Sequence, residues 1–187
     1  MESPDRAVEE LVDLALRGDR SAFGTLIRRH EGMVYSIAFS VCGNRSEAED
    51  VAQEAVVAAY RSLRKLRDRA RFSSWVAGIA YRKARAWRVR RSLRRAIWDR
   101  WFARTDEPRV EDPSEAARRQ EDSARVLRAI AELPEVERLA LVLRIQHGLH
   151  LPDIARILEL TGEQARRAFE RAVAALRFRL GGQNHGM

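Results

Sequence analysis

Residues 151–180 read LPDIARILELTGEQARRAFERAVAALRFRL. Two helices are written into this stretch. Pro152 suits the first turn of a short helix that runs to about Leu158, because its missing N–H falls where no intrahelical bond is made. Thr161 and Gln164 then form a T-x-x-Q capping box that opens a longer helix. Ala165, Phe169, Ala172, Val173, Leu176 and Leu180 fall on one face of that helix, and Gly181-Gly182 stops it. A short helix, a tight turn and a long helix make the spacing of a helix-turn-helix. With the apolar stripe turned to a core, the opposite side carries Glu163, Gln164, Arg166, Arg167, Glu170 and Arg171. An exposed guanidinium pairs bidentately with guanine or clamps a phosphate, so Gln164, Arg166, Arg167 and Arg171 are the candidate base readers. Glu170 either accepts from a cytosine amine or pairs with a neighbouring arginine. The plainer alternative is a solvated charged face on an ordinary bundle helix.

Working upstream, Glu135 to Gln146 is the preceding helix, with Leu139, Val142, Leu143 and Ile145 inward, and His147-Gly148 ends it. Val126, Leu127, Ile130 and Leu133 have helical spacing before Pro134 restarts the chain. Further back, ARTDEPRVEDPSE at 103–115 holds two prolines, many acids and little that enters a core, so it reads as a flexible linker. Trp98, Trp101 and Phe102 stand just before it, either packing on the preceding helix or offering a docking site.

The N-terminal part is also helical. A first helix covers about Ala7 to Leu16, and a second begins near Ser21 with Phe23, Leu26 and Ile27 on one side. His30-Glu31-Gly32 suggests a break or kink. Gly43 sits where a left-handed cap belongs, and Ser46 with Glu49 suggests a capping box for the next helix. That helix runs to about Leu66, with Val51, Ala55, Ala58, Ala59 and Leu63 near one stripe. After a charged loop at 67–71, a further helix starts at Ser73 or Ser74 and runs through Trp75, Ile79 and Trp87 into a basic end. The fold class expected is all-α, two small helical domains on a flexible linker. Their bounds are 6–100 and 116–182, with a linker at 101–115 and a disordered tail at 183–187.

The chain has 187 residues and a formal net charge of +8, which favours a polyanionic partner through counterion release. Cys42 is the single cysteine, so no disulfide forms within the chain; its apolar neighbours make it a buried thiol. The acidic start MESPDRAVEE is no secretory signal, and no apolar run reaches the roughly 20 residues that span a bilayer. A cytoplasmic protein without membrane insertion is expected. No nucleophile triad, phosphate loop or zinc-ligand spacing is present, so neither enzyme activity, cofactor nor metal is expected; His30, His147, His150 and His185 are scattered.

Two blocks carry a family resemblance. The first is SAFGTLIRRHEGMVYSIAFSVCGNRSEAEDVAQEAVVAAYRSL followed by RFSSWVAGIAYRKARAWRVRR. It resembles region 2 of sigma-70 family RNA polymerase sigma factors of the extracytoplasmic-function (ECF) group. The most specific part is Ala48, Glu49, Asp50, Val51, Gln53 and Glu54, followed by the frame Phe72, Trp75, Ile79 and Ala80. The second block, LRAIAELPEVERLALVLRIQHGLHLPDIARILELTGEQARRAFERAVAALRFRL, resembles region 4 through Leu133, Pro134, Arg138, Gly148-Leu149, Ile154-Ala155 and Arg171-Ala172.

The resemblance implies a promoter-specificity factor. Asp50, Gln53 and Glu54 would dock on the β′ clamp helices of core RNA polymerase, with a second contact to the β flap. The loop Lys65–Arg71 and the basic helix after Trp75 would open the −10 element and hold single-stranded DNA. Arg82, Lys83, Arg85, Arg88, Arg90 and Arg91 would follow the phosphates, while Tyr81 and Trp87 would stack bases if exposed. Arg144 joins Gln164, Arg166, Arg167 and Arg171 at the −35 element. An anti-sigma factor is expected as a further partner. The sequence departs from the common pattern at Arg82, where many members carry Asn, and at Ala86, His150 and the Glu163–Ala168 segment, which points to an altered promoter preference. Two other classes stand beside this one: a helix-turn-helix regulator that never recruits polymerase, and a degenerate sigma-like protein that titrates an anti-sigma factor.

Overall fold

A computed structural model describes residues 4–101 and 119–181, with side chains for 7–93 and 125–180. The linker at 101–115 and the tail at 183–187 therefore fall almost wholly outside the described residues, as do the side chains of Trp98, Trp101 and Phe102. The described residues form eight α-helices and no strand. The chain divides into two compact units, Met1–Arg109 and Val110–Met187.

The first unit holds α1 (Pro4–Leu16), α2 (Arg20–Cys42), α3 (Arg45–Ser62) and α4 (Phe72–Trp101), with 3-10 turns at Leu63–Lys65 and Arg69–Arg71. Asp19 caps α2 by accepting from the Ser21 and Ala22 amides at 2.8 and 3.1 Å. At the other end Gly43 takes φ 68° and its N–H donates to the Phe39 carbonyl, the left-handed stop expected from the sequence. Between them α2 runs unbroken, so the kink expected at His30-Glu31-Gly32 does not form. Leu26 before this point and Met33, Val34 and Ile37 after it are all buried, and a break would pull one group out of the core. His30 also binds in both directions. Its Nδ1–H donates to the Leu26 carbonyl at 2.7 Å, and Nε2 accepts from the Ser73 hydroxyl of α4 at 2.8 Å.

The cap of α3 also differs from the expectation. Asn44, not Ser46, is the N-cap, and its side chain accepts from the Glu47 amide at 3.1 Å. Ser46 lies inside the first turn, and Glu49 pairs with Arg45 at 2.9 Å instead of reaching back. The chain after Gly43 is already extended at Asn44, which places the capping oxygen one step earlier than the S-x-x-E pattern suggests.

Alanines line the helix crossings. Ala38, Ala48, Ala55, Ala59, Ala77, Ala80 and Ala84 are fully buried, and Val51 joins Ala38, Ala48 and Ala84 where α2, α3 and α4 meet. Small side chains there let the helices approach closely. Cys42 packs against this cluster but is only half-buried, because it is the last residue of α2 and the chain turns away at Gly43. Arg69 ties its turn back to Asp13 of α1 at 2.8 Å.

The second unit holds α5 (Arg119–Ala131), α6 (Glu135–Ile145), α7 (Leu151–Leu158) and α8 (Gly162–Gly181). Leu139, Leu143, Ile154 and Ile157 form its core, closed by Ala165, Ala168 and Ala172 of α8. Ile145 is 69% exposed, against the inward position expected, because it follows the buried Leu143 by two residues and so lies past the edge of the buried face. Among the described residues no helix is long and apolar enough to cross a membrane, and no three His, Cys, Asp or Glu side chains are placed to hold a metal.

Two outcomes test this packing. Ala48→Leu overfills the α2–α3–α4 crossing and is expected to cost about 1–3 kcal/mol in urea denaturation. Burial, opposed by the Leu26 hydrogen bond and aided by Arg29, holds the His30 imidazole below its ordinary 6.5. The unfolded chain therefore binds this proton more readily than the folded one. The contribution of neutral His30 is complete above about pH 6.5 and is lost as pH falls from there through the lower folded-state value. In melts between about pH 8 and about pH 5, His30→Gln should show a shallower loss of stability on the acid side than the parent chain.

Candidate nucleic-acid interface

In the first unit, Asp50, Gln53 and Glu54 are exposed on α3, with Gln53 and Glu54 one helical turn beyond Asp50. The structure brings them beside the basic helix. Glu54 pairs with Lys83 at 3.5 Å and with Arg90 at 3.7 Å, and Glu47 pairs with Arg91. Glu47 also lies in the first turn of α3, where a negative charge suits the helix dipole. An open groove of about 540 Å³ runs here, lined by Asp50, Val51, Glu54, Trp87, Arg90 and Leu93. Sequence reasoning missed Leu93 as part of this site. Like Val89 one turn earlier, it is an exposed apolar residue among arginines, and that contrast was the available signal.

The aromatic candidates separate. Tyr81 is only 4% exposed, so it is not a base-stacking platform. It lies one turn from the buried Ala77 and Ala84, and that face of α4 points into the bundle. Arg85 sits over its ring at 5.7 Å. Trp87 is half-buried against the Ala38–Ala48–Val51–Ala84 cluster, with the Arg91 guanidinium 5.2 Å from its ring centre. Trp75 is half-buried, its ring 5.8 Å from that of the fully buried Phe72. Arg82, Arg85 and Arg88 are exposed along α4, and Lys83 is half-buried. The Arg82 guanidinium folds back over Gly78, where an added Cβ would meet its Nη1 at 3.2 Å.

In the second unit the turn between α7 and α8 is built from the backbone. Glu159 takes φ 57°, in the left-handed region, and the Leu160 N–H returns to the Ala155 carbonyl at 2.8 Å. The capping box at Thr161 then forms in both directions. The Thr161 N–H donates to Gln164 Oε1 at 2.8 Å, and the Gln164 N–H donates to Thr161 Oγ1 at 3.2 Å.

The five candidates at this site sit in unlike places. Arg144 is half-buried, donating to the Leu149 carbonyl at 3.1 Å beside His150, so it braces the turn before α7. Arg171 reaches across to Glu137 of α6 at 2.6 Å, a carboxylate with only 14% of its side chain exposed. Arg166 and Arg167 are exposed and share Glu163, while Gln164 is exposed but engaged in the cap. Arg138, noted only as a motif residue, has a structural task. Its Nη1 donates to the Ala131 and Leu133 carbonyls at 2.7 and 2.8 Å, satisfying the end of α5. Burial lowers its pKa from the ordinary value, opposed by Glu135.

Comparison with known proteins places both units. Residues 26–100 match the Sigma-70 region 2 family and residues 123–176 match the Sigma-70 region 4 family. The RNA polymerase sigma-H factor of Pseudomonas aeruginosa is 34% identical over 158 residues, covering 81% of this chain and 82% of that protein. The ECF RNA polymerase sigma factor SigM of Mycobacterium tuberculosis is 31% identical over 186 residues, covering 98% and 89%. Among solved structures, CnrH in complex with the cytosolic domain of CnrY superposes with a TM-score of 0.66 at 26% identity, covering 95% of this chain and 99% of that one. The sigma factor RpoE of Bartonella quintana, solved with the anti-sigma factor NepR, shares the fold at a TM-score of 0.66 and 17% identity, covering 87% and 98%.

Thr161→Ala removes one half of the reciprocal cap. It should cost about 1 kcal/mol locally, read as roughly fivefold less hydrogen-exchange protection in the first turn of α8.

Proposed function

The chain belongs to the sigma-70 family, in its extracytoplasmic-function group, and we propose on that footing that it binds core RNA polymerase and directs it to promoters by recognising −35 and −10 elements and melting the DNA. The observation that carries this reading is the presence of both family blocks in one chain, each on a compact helical unit. Residues 6–100 are assigned polymerase docking and −10 handling, residues 116–182 the −35 element, and residues 101–115 the tether.

Asp50, Gln53 and Glu54 supply the docking surface toward the β′ clamp helices. Their exposure on one side of α3 supports this, with Asp50 and Glu54 also lining the open groove. Arg82, Lys83, Arg85 and Arg88 follow the phosphates of the opened strand, with Trp87 beside them. Each phosphate neutralised releases counterions, so this binding weakens as salt rises. In the second unit α8 lies in the major groove, with Gln164, Arg166 and Arg167 near its N-terminal end. Arg144 braces the turn before α7 and Arg171 ties α8 to α6, and both are assigned to the same −35 contact. The activity is carried out by the polymerase, and the factor itself is not an enzyme.

A protein partner that holds the factor inactive is part of the proposal. CnrH, a neighbour with the same fold, was solved holding the cytosolic domain of another protein. The site of action is the cytoplasm, where core polymerase and promoter DNA meet. A helix-turn-helix regulator that ignores polymerase is not favoured, because it leaves the residue 26–100 block without a task.

Run-off transcription with purified core polymerase and genomic promoter fragments tests the reading, with discrete start sites as the expected product. Asp50→Arg combined with Glu54→Arg should weaken co-elution with core polymerase by about tenfold or more while leaving the helical melt intact. Wild-type protein that never assembles a holoenzyme defeats the assignment.

A further inference from the structure

We propose that Arg167 is the residue that reads a guanine in the upstream promoter element, and that Glu163 is the positioning residue that aims it; this rests on the sigma-factor reading above. The argument is one of unequal occupancy between two adjacent arginines. Glu163 Oε2 accepts from Arg166 Nε and Nη2 at 3.1 and 3.0 Å, and its Oε1 accepts from Arg166 Nη2 at 2.8 Å. On the far side of the same guanidinium, Arg166 Nη1 donates to Glu170 Oε1 at 2.7 Å. Arg166 thus lies between two carboxylates, with its Nε–Nη2 edge and one Nη1 hydrogen occupied.

Arg167 stands differently. Glu163 Oε1 takes its Nε–H at 2.8 Å, and among the described residues its hydrogen bonds and ion pairs involve that nitrogen alone. The Nη1–Nη2 end remains available, and its side chain is 65% exposed against 50% for Arg166. That end presents two N–H groups side by side, the geometry that meets O6 and N7 of guanine in the major groove. Fixing Nε removes part of the rotamer freedom that base contact would otherwise cost, so the fork is pre-organised. The carboxyl of Glu163 is held below the usual carboxylate range by the hydrogen bonds from Arg166 and Arg167, so it stays ionised as the pivot.

Gln164 is less suited to reading a base alone. Its Oε1 is bound to the Thr161 N–H, whereas pairing with adenine needs that oxygen together with Nε2. Electrostatics point the same way. Glu163, Arg166, Arg167 and Glu170 sum to zero formal charge, so this stretch of α8 adds little sequence-indifferent attraction to phosphate. The two carboxylates repel a misplaced DNA backbone and leave recognition to the aimed fork.

The test uses holoenzyme assembled from the full chain and core polymerase, incubated with a randomised duplex pool whose bound fraction is sequenced. The wild-type chain is expected to select a guanine at one upstream position. Arg167→Ala should reduce that preference by about tenfold or more while leaving other positions unchanged. Arg167→Lys, which keeps the charge but not the fork, should lose the same preference with an unchanged salt dependence. Arg166→Ala should retain it. Glu163→Gln should flatten it and increase retention of unselected DNA as salt is raised. The proposal is overturned if Arg167→Ala keeps the guanine preference, if Arg166→Ala abolishes it, or if Glu163→Gln leaves it unchanged. A wild-type holoenzyme that selects no upstream sequence overturns the sigma-factor reading itself, a result distinct from either of these.

Discussion

Close approach of helices through alanine is the constraint on which the first unit depends. Where α2, α3 and α4 cross, the buried contacts are Ala38, Ala48 and Ala84 with Val51, and Ala55, Ala59, Ala77 and Ala80 extend the same economy of volume. Interaxial distance follows the side chains at the contact, and methyl groups set it near its lower end. Once these faces are committed inward, the outward faces follow without further choice. Asp50, Gln53 and Glu54 emerge on one side of α3, and Arg82, Arg85 and Arg88 emerge along α4. The second unit repeats the device with Ala165, Ala168 and Ala172, which seat α8 on the unit's core and turn Arg166 and Arg167 to solvent.

The arginine surplus divides into two uses. One set is spent internally: Arg138 on the carbonyls at the end of α5, Arg144 on the turn before α7, Arg171 on Glu137 and Arg69 on Asp13. The first two satisfy backbone carbonyls, and the ion pairs among them fix geometry more than they add stability. The other set stands outward and gives the surface its positive charge. Lys83 and Arg90 belong partly to both, because Glu54 draws them toward α3. Glu54 of α3 and the basic residues Lys83 and Arg90 of α4 thus share ion pairs across one groove, so a charge change at Glu54 also changes what Lys83 and Arg90 face.

Much of this was legible in the chain. The left-handed stop at Gly43 and the reciprocal Thr161–Gln164 cap were readable because each depends on a few residues in sequence. The all-helical class followed from periodicity and from the cap and stop residues between the periodic stretches. The unbroken α2 was not legible, since His30-Glu31-Gly32 is locally a weak helix and only burial on both sides holds it. The Asn44 cap was missed because two overlapping polar patterns compete, and the extended backbone at Asn44 decides between them. Tyr81 was nominated beside Trp87 because both lie in a basic run. Only the packing of α4 shows one ring buried and the other at the groove.

By itself the sequence determined the class of fold, the order of the two modules, the family motifs and the faces from which candidate residues would be drawn. Those are properties of local propensity, periodic burial and short motifs, and each is complete within a few turns of chain. Tertiary structure alone decided which candidates are available. Tyr81 is withdrawn into the core, and Arg171 is engaged by Glu137 of α6. A guanidinium's partners depend on where neighbouring helices and side chains place their oxygens, and residue type along the chain does not carry that information.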